Sequence, residues 1–170
     1  MSTMLEAELL AHLDTQIASA KRLLATILEQ GAAIRARDVE TVLGKLAEIQ
    51  TEMGRRGRLE QERTALLQRA GQALGVGPAA VTLERICTLI TPDAAQSAHE
   101  RSAELRGLLA EIAREHGINR ALMRQELAFL AHLTRLVGGE PEPAYTPGSA
   151  APAARQGGAP PAYRVLDLKA

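Results

Sequence analysis

Aromatic rings are almost absent from this chain of 170 residues, which holds two tyrosines, one phenylalanine and no tryptophan. A core built here must therefore be aliphatic, and 46% hydrophobic content drawn mostly from Ala, Leu, Ile and Val is enough to make one. A platform for stacking nucleic-acid bases is excluded for the same reason. Net charge is also missing: twenty basic residues balance twenty acidic ones. The chain thus has no field to gather phosphate backbones or anionic lipid, and no nucleic acid is expected as a partner. Cys87 is the sole cysteine, which rules out an intramolecular disulfide and fits a reducing compartment. No run approaches the ~20 apolar residues of a membrane span. The N-terminal segment carries Glu6, Glu8 and Asp14 and has no apolar h-region, unlike a signal peptide. A soluble cytoplasmic protein without direct membrane insertion is the expectation.

Catalytic signals are equally scarce. His12, His99, His116 and His132 have no HxxxH or HExxH spacing, and Cys87 has no CxxC partner. "LGVGPAA" has glycines but lacks the Lys-Ser/Thr of a phosphate loop, and no GxSxG occurs. Glu100, Glu104, Glu111 and Glu115 lie at helical spacing and read as a solvated face. No enzyme, cofactor or metal is expected.

What the chain does have is helical periodicity. From about Met4 to Arg37, Leu5, Leu9, Leu13, Ile17, Ala20, Leu24, Ile27, Gly31 and Ile34 recur every three or four residues, one apolar stripe on a long helix. Asp38 can cap a second helix with the stripe Val39, Val42, Leu46, Ile49 and Met53, resuming at Leu66, Ala70 and Leu74. So short a link predicts an antiparallel hairpin, with one continuous rod through Asp38 as the alternative. "GRRGRLEQER" interrupts the second stripe and reads as a solvated face rather than a basic contact site. Gly75 is placed to end the helix, and Gly77-Pro78 forbids its continuation. Thr82 can cap a short helix, Leu83 to Ile90. "TPD" at Thr91 to Asp93 then starts a long helix to about Val137. Its main stripe is Leu105, Leu108, Leu109, Ile112, His116, Asn119, Met123, Leu127, Leu130 and Val137.

The expected fold is all-α: a long antiparallel helical hairpin, a short helix and a long C-terminal helix in an elongated bundle or coiled coil, over residues 1–137. Residues 138–170 form a second region with six of the eight prolines and both tyrosines. Such a tail cannot bury enough apolar surface to offset its ordering entropy and is expected to be flexible.

The last helix carries a second stripe beside the main one. Before Gly117 that neighbouring face holds Glu104, Glu111 and Glu115. After it come Ile118, Leu122, Phe129, Leu133 and Leu136. An apolar arc that widens toward a helix end marks a contact surface. A client's amphipathic helix, ordinary core under the short helix or the folded-back hairpin, and a second copy of the chain are the three occupants it fits.

The order of these features resembles the FlgN family of flagellar export chaperones over nearly the whole chain. "KLAEIQTEM…RLEQERTALLQRAGQALG" is similar to that family's charged second helix. "ELRGLLAEIAREHGINRALMRQELAFLAHLTRLV" is similar to its last helix, with Asn119 before the leucine-rich end. Tyr145, Gly148 and the terminal "YRVLDLKA" match its tail. The resemblance implies a cytoplasmic type III export chaperone without chemistry of its own. Such a chaperone binds the C-terminal helical segment of flagellar hook–filament junction proteins, prevents their premature assembly and delivers them to the export gate. It implies client binding in the C-terminal part, where Ile118, Leu122, Phe129, Leu133 and Leu136 lie. It further implies docking of Tyr145 to the cytoplasmic domain of the export-gate membrane protein. Thr146-Pro147 departs from the family's glycine-led turn after that tyrosine. On physical grounds an exposed tail tyrosine is an anchor of large apolar area and low entropy cost. The alternative function is a structural coiled-coil component of the export apparatus, partnered with export-ATPase-associated proteins, or a self-associating helical adaptor with no client.

Overall fold

The computed structural model describes residues 2–138, and among these every long element is helical. α1 spans Ser2–Ala36, α2 Val39–Leu74, α3 Leu83–Cys87 and α4 Pro92–Gly138, with one 3-10 turn at Pro78–Ala80.

Local chemistry sets each boundary. α1 ends in a Schellman-type closure, with Asp38 N–H donating to the Ala33 carbonyl at 3.0 Å and Arg37 N–H to that of Ile34 at 3.1 Å. This closure forces Arg37 to φ 58°, a left-handed position held without a glycine. Asp38 then caps α2, its carboxylate accepting from the Thr41 N–H at 3.1 Å and the Thr41 hydroxyl at 2.6 Å. Those bonds hold the Asp38 carboxyl below its ordinary pKa. The hairpin is therefore closed and the continuous rod is not formed. α2 stops at Gly75, whose φ of 68° is a left-handed position that glycine takes without Cβ strain. Thr82 caps α3 through the Arg85 N–H, and α3 is shorter than its apolar pattern, ending at Cys87. Thr91 starts α4 by accepting from the Ala94 N–H at 3.4 Å.

Cross-helix contacts give the topology. α2 runs antiparallel to α1, as shown by the Ser19–Glu52 hydrogen bond of 2.6 Å and the Lys45–Glu29 ion pair of 2.6 Å. α4 runs parallel to α1: Arg101 reaches Asp14 at 2.6 Å, Lys21 reaches Glu104 at 2.7 Å, and Arg37 reaches Glu126 at 3.4 Å. α1 is thus the central helix and packs on both others. At its N-terminal end Leu9, Leu66, Ala70, Ile86 and Ala98 form a closed core, with Leu83, Cys87 and Ile90 of the α3 region against it. Farther along, Leu23, Ile27 and Ile49 form a smaller core that Ile112 joins.

Two buried polar contacts fix how the helices slide against each other. Glu52 is buried and accepts from Ser19, from Arg22 at 3.1 Å and from Arg55 at 3.2 Å. Burial works to raise its pKa, but the bonds from Arg22 and Ser19 outweigh it and hold the carboxyl below the ordinary 4.5. Asn119 is 1% exposed; its amide donates to the Ile27 carbonyl at 2.8 Å and to Gln30 Oε1 at 3.4 Å. Gly31 makes room for it, since a Cβ there would lie 2.6 Å from Asn119 Oδ1. A hydrogen-bonded amide that meets a glycine on the facing helix pins α4 to one register on α1.

Candidate client-binding surface

That register decides where α4 runs out of neighbours. α1 ends at Ala36, and just past it Arg37 pairs with Glu126 of α4 at 3.4 Å. Twelve further residues, Leu127 to Gly138, continue as helix for about 18 Å at ~1.5 Å per residue, and every one of them is exposed.

The face left open is apolar. Ile118 sits at the margin of exposure and Leu122 is half-buried, both alongside α1. Phe129, Leu133 and Leu136 lie beyond it, with Leu136 at 63% exposure. The five residues singled out from the second stripe are therefore split between the edge of the bundle and its overhang. Leu127, Leu130 and Val137, assigned from periodicity to the buried main stripe, are exposed as well, Val137 at 87%. At ~100° per residue, the large apolar residues past Glu126 span about half the helix circumference. The middle of that half continues the line along which Asn119 and Glu126 meet α1. The exposed face is the α1-contacting face, prolonged past the end of α1.

Of the intramolecular covers weighed from the sequence, neither reaches this surface. α3 packs at the opposite end of α1, against Leu9 and Leu66. The hairpin turn stops at Arg37 and Asp38, beside Glu126. Glu115, read from its spacing as solvated, is buried and takes an Arg114 guanidinium at 2.6 Å. The acid on this face, Glu126, is taken up by Arg37.

Tyr145 and the region 138–170 assigned to the tail lie, past Gly138, outside the described residues. Among the described residues no group of His, Cys, Asp or Glu is arranged to hold a metal, and no helix is long and apolar enough to cross a membrane.

Comparison with known proteins yields one finding: the family described as FlgN protein matches residues 1–152. No curated protein and no solved structure matches the chain.

Proposed function

The chain belongs to the FlgN family of flagellar export chaperones, whose members bind flagellar proteins, and from that premise we propose that the α4 overhang is its client site. The occupant is the C-terminal amphipathic helix of a flagellar hook–filament junction protein. The observation that carries this is the continuation of α4's α1-facing surface past the end of α1. A client helix laid there prolongs the three-helix packing, taking the place α1 would hold if it were longer. Phe129, Leu133 and Leu136 supply the apolar contacts with Leu130 and Val137, while Ile118 and Leu122 close the inner end. Recognition is by anchors at i, i+3, i+4 and i+7 of the client, the common mode for a helix in an apolar groove.

The chaperone acts by occupancy. It covers the client's polymerising helix until delivery to the export gate, in the cytoplasm, with no chemical step. In this reading residues 1–137 are the chaperone domain. Residues 138–170 form a tether whose Tyr145 docks on the cytoplasmic domain of the export-gate membrane protein.

The test is a titration of the junction protein's C-terminal segment against the intact chain and its Leu133→Asp/Leu136→Asp variant. Binding is expected to fall about 100-fold or more, as for loss of a hydrophobic hot spot, with circular dichroism unchanged. Undiminished binding by the variant would sink the proposal. Tyr145→Ala is expected to bind client normally and to lose gate docking; equal loss of both contradicts the division of labour.

A further inference from the structure

A second unpartnered apolar face lies on α2. Val39 and Leu43 are 68% and 60% exposed, and Leu46 and Met53 are open too. At ~100° per residue these four share one narrow arc. Ala47, Gln50, Gly54 and Gly57, all exposed, fall on or beside it. None of the charged residues of α2 enters this arc of about 120°. The glycines are not explained by the chain's own packing, because a Cβ on Gly54 or Gly57 would meet nothing within 4 Å. Each still costs the helix about 1 kcal/mol relative to alanine. Two such glycines beside four exposed aliphatic side chains give this face hollows as well as ridges.

We propose that this face joins two copies of the chain, α2 packing antiparallel on α2 of a second copy about a two-fold axis near residues 48 and 49. Size and charge both select that occupant and that register. In an antiparallel pair so centred, Val39 of one copy comes opposite Gly57 of the other, Leu43 opposite Gly54, and Leu46 opposite Gln50. Bulky side chains enter the hollows over the glycines, and the two-fold axis repeats each contact. At the edge of the same arc, Glu40 of one copy comes opposite Arg58 of the other. Both are exposed, and neither has an ion-pair partner among the described residues. A parallel in-register pair would instead set glycine on glycine and part Glu40 from Arg58 of the other copy. The second copy therefore offers the large-to-small and acid-to-base complement at the required spacing. This surface belongs to α2 alone, so the inference stands independently of the client reading for α4.

Light scattering on the free chain at micromolar concentration is expected to return about twice 18.2 kDa. Gly57→Leu removes a helix-weakening glycine from open space, so it should keep its helical circular dichroism and yet give a monomer. Glu40→Arg should weaken dimerisation about tenfold by turning both symmetric pairs repulsive, and adding Arg58→Glu should restore it. In a Cys87→Ser background, Leu46→Cys with Gln50→Cys should form a disulfide-linked dimer and Glu40→Cys alone should not. A monomer at every concentration overturns the proposal, as does a dimer indifferent to Gly57→Leu or an unrescued charge swap. A free monomer whose Gly57→Leu variant loses client binding assigns the face to the client helix and overturns it too.

Discussion

Leu66 and Leu133 sit on apolar stripes of the same helical period, yet Leu66 is 3% exposed and Leu133 39%. Leu66 is closed in by Leu9, Ala70, Ile86 and Ala98, because three helices and the α3 segment converge on that end of α1. Leu133 has no such company, because the Asn119–Gly31 contact fixes α4 in a register that carries it past the end of α1. The same residue type at the same spacing is structural in one place and available in the other. What separates them is the length of the neighbouring helix, not the stripe.

Substitutions at the two ends separate these roles. Leu66→Ala is expected to destabilise the fold by about 3 kcal/mol, the usual cost of emptying a closed aliphatic site. Leu136→Ala should change it by less than about 0.5 kcal/mol. Denaturant melts of the two variants read the contrast directly, and equal losses would erase it. Asn119→Ala removes two buried hydrogen bonds and the lock on α4, at an expected ~2 kcal/mol. Gly31→Ala should destabilise as well, despite alanine's higher helix propensity, because its Cβ meets the Asn119 carboxamide. Arg37→Gly has the opposite sign: relief of a left-handed non-glycine residue should gain about 1 kcal/mol, less the exposed ion pair to Glu126. A fall in melting temperature would show that the Glu126 contact matters more than the turn.

The smallest expected effects are in pH dependence. Burial holds the His12 imidazole below its ordinary 6.5. The unfolded chain therefore takes up that proton first, so this contribution is complete above pH 6.5 and is lost as pH falls toward the folded-state value. Glu52 is likewise depressed, so its contribution is complete above 4.5 and is lost as pH falls through its lower folded-state value. Stability should thus decline in two acid steps. His12→Gln should flatten the upper one and Glu52→Gln the lower, measured by melts across pH 3 to 7.

Much of the architecture was legible in the residues themselves. Asp38, Gly75, Thr82 and Thr91 announce their boundaries through side-chain oxygens or a missing Cβ, and the structure uses all four. The sequence also separates Ile118, Leu122, Phe129, Leu133 and Leu136 as a stripe beyond what one packed face needs. Periodicity could not say that Leu127, Leu130 and Val137 join them in solvent, because it reports which face is apolar and not where the opposite helix stops. The same limit hid the exposure of Val39, Leu46 and Met53, which lie on an apolar stripe of α2 but off the line that meets α1. Nor does any hydrophobic pattern flag Glu52, a carboxylate buried only because Ser19, Arg22 and Arg55 converge on it. The Asn119 register, which sets how far α4 runs past the end of α1, was the missing information, and it is tertiary.

Amide hydrogen exchange along α4, with and without the junction protein's C-terminal segment, tests the central claim most directly. In the free chain, residues 127–138 should exchange far faster than residues 105–119, since no helix covers them. On adding the client, protection should rise sharply over 118–138 and change little over 92–110. A client that binds while leaving 127–138 unprotected would contradict the account.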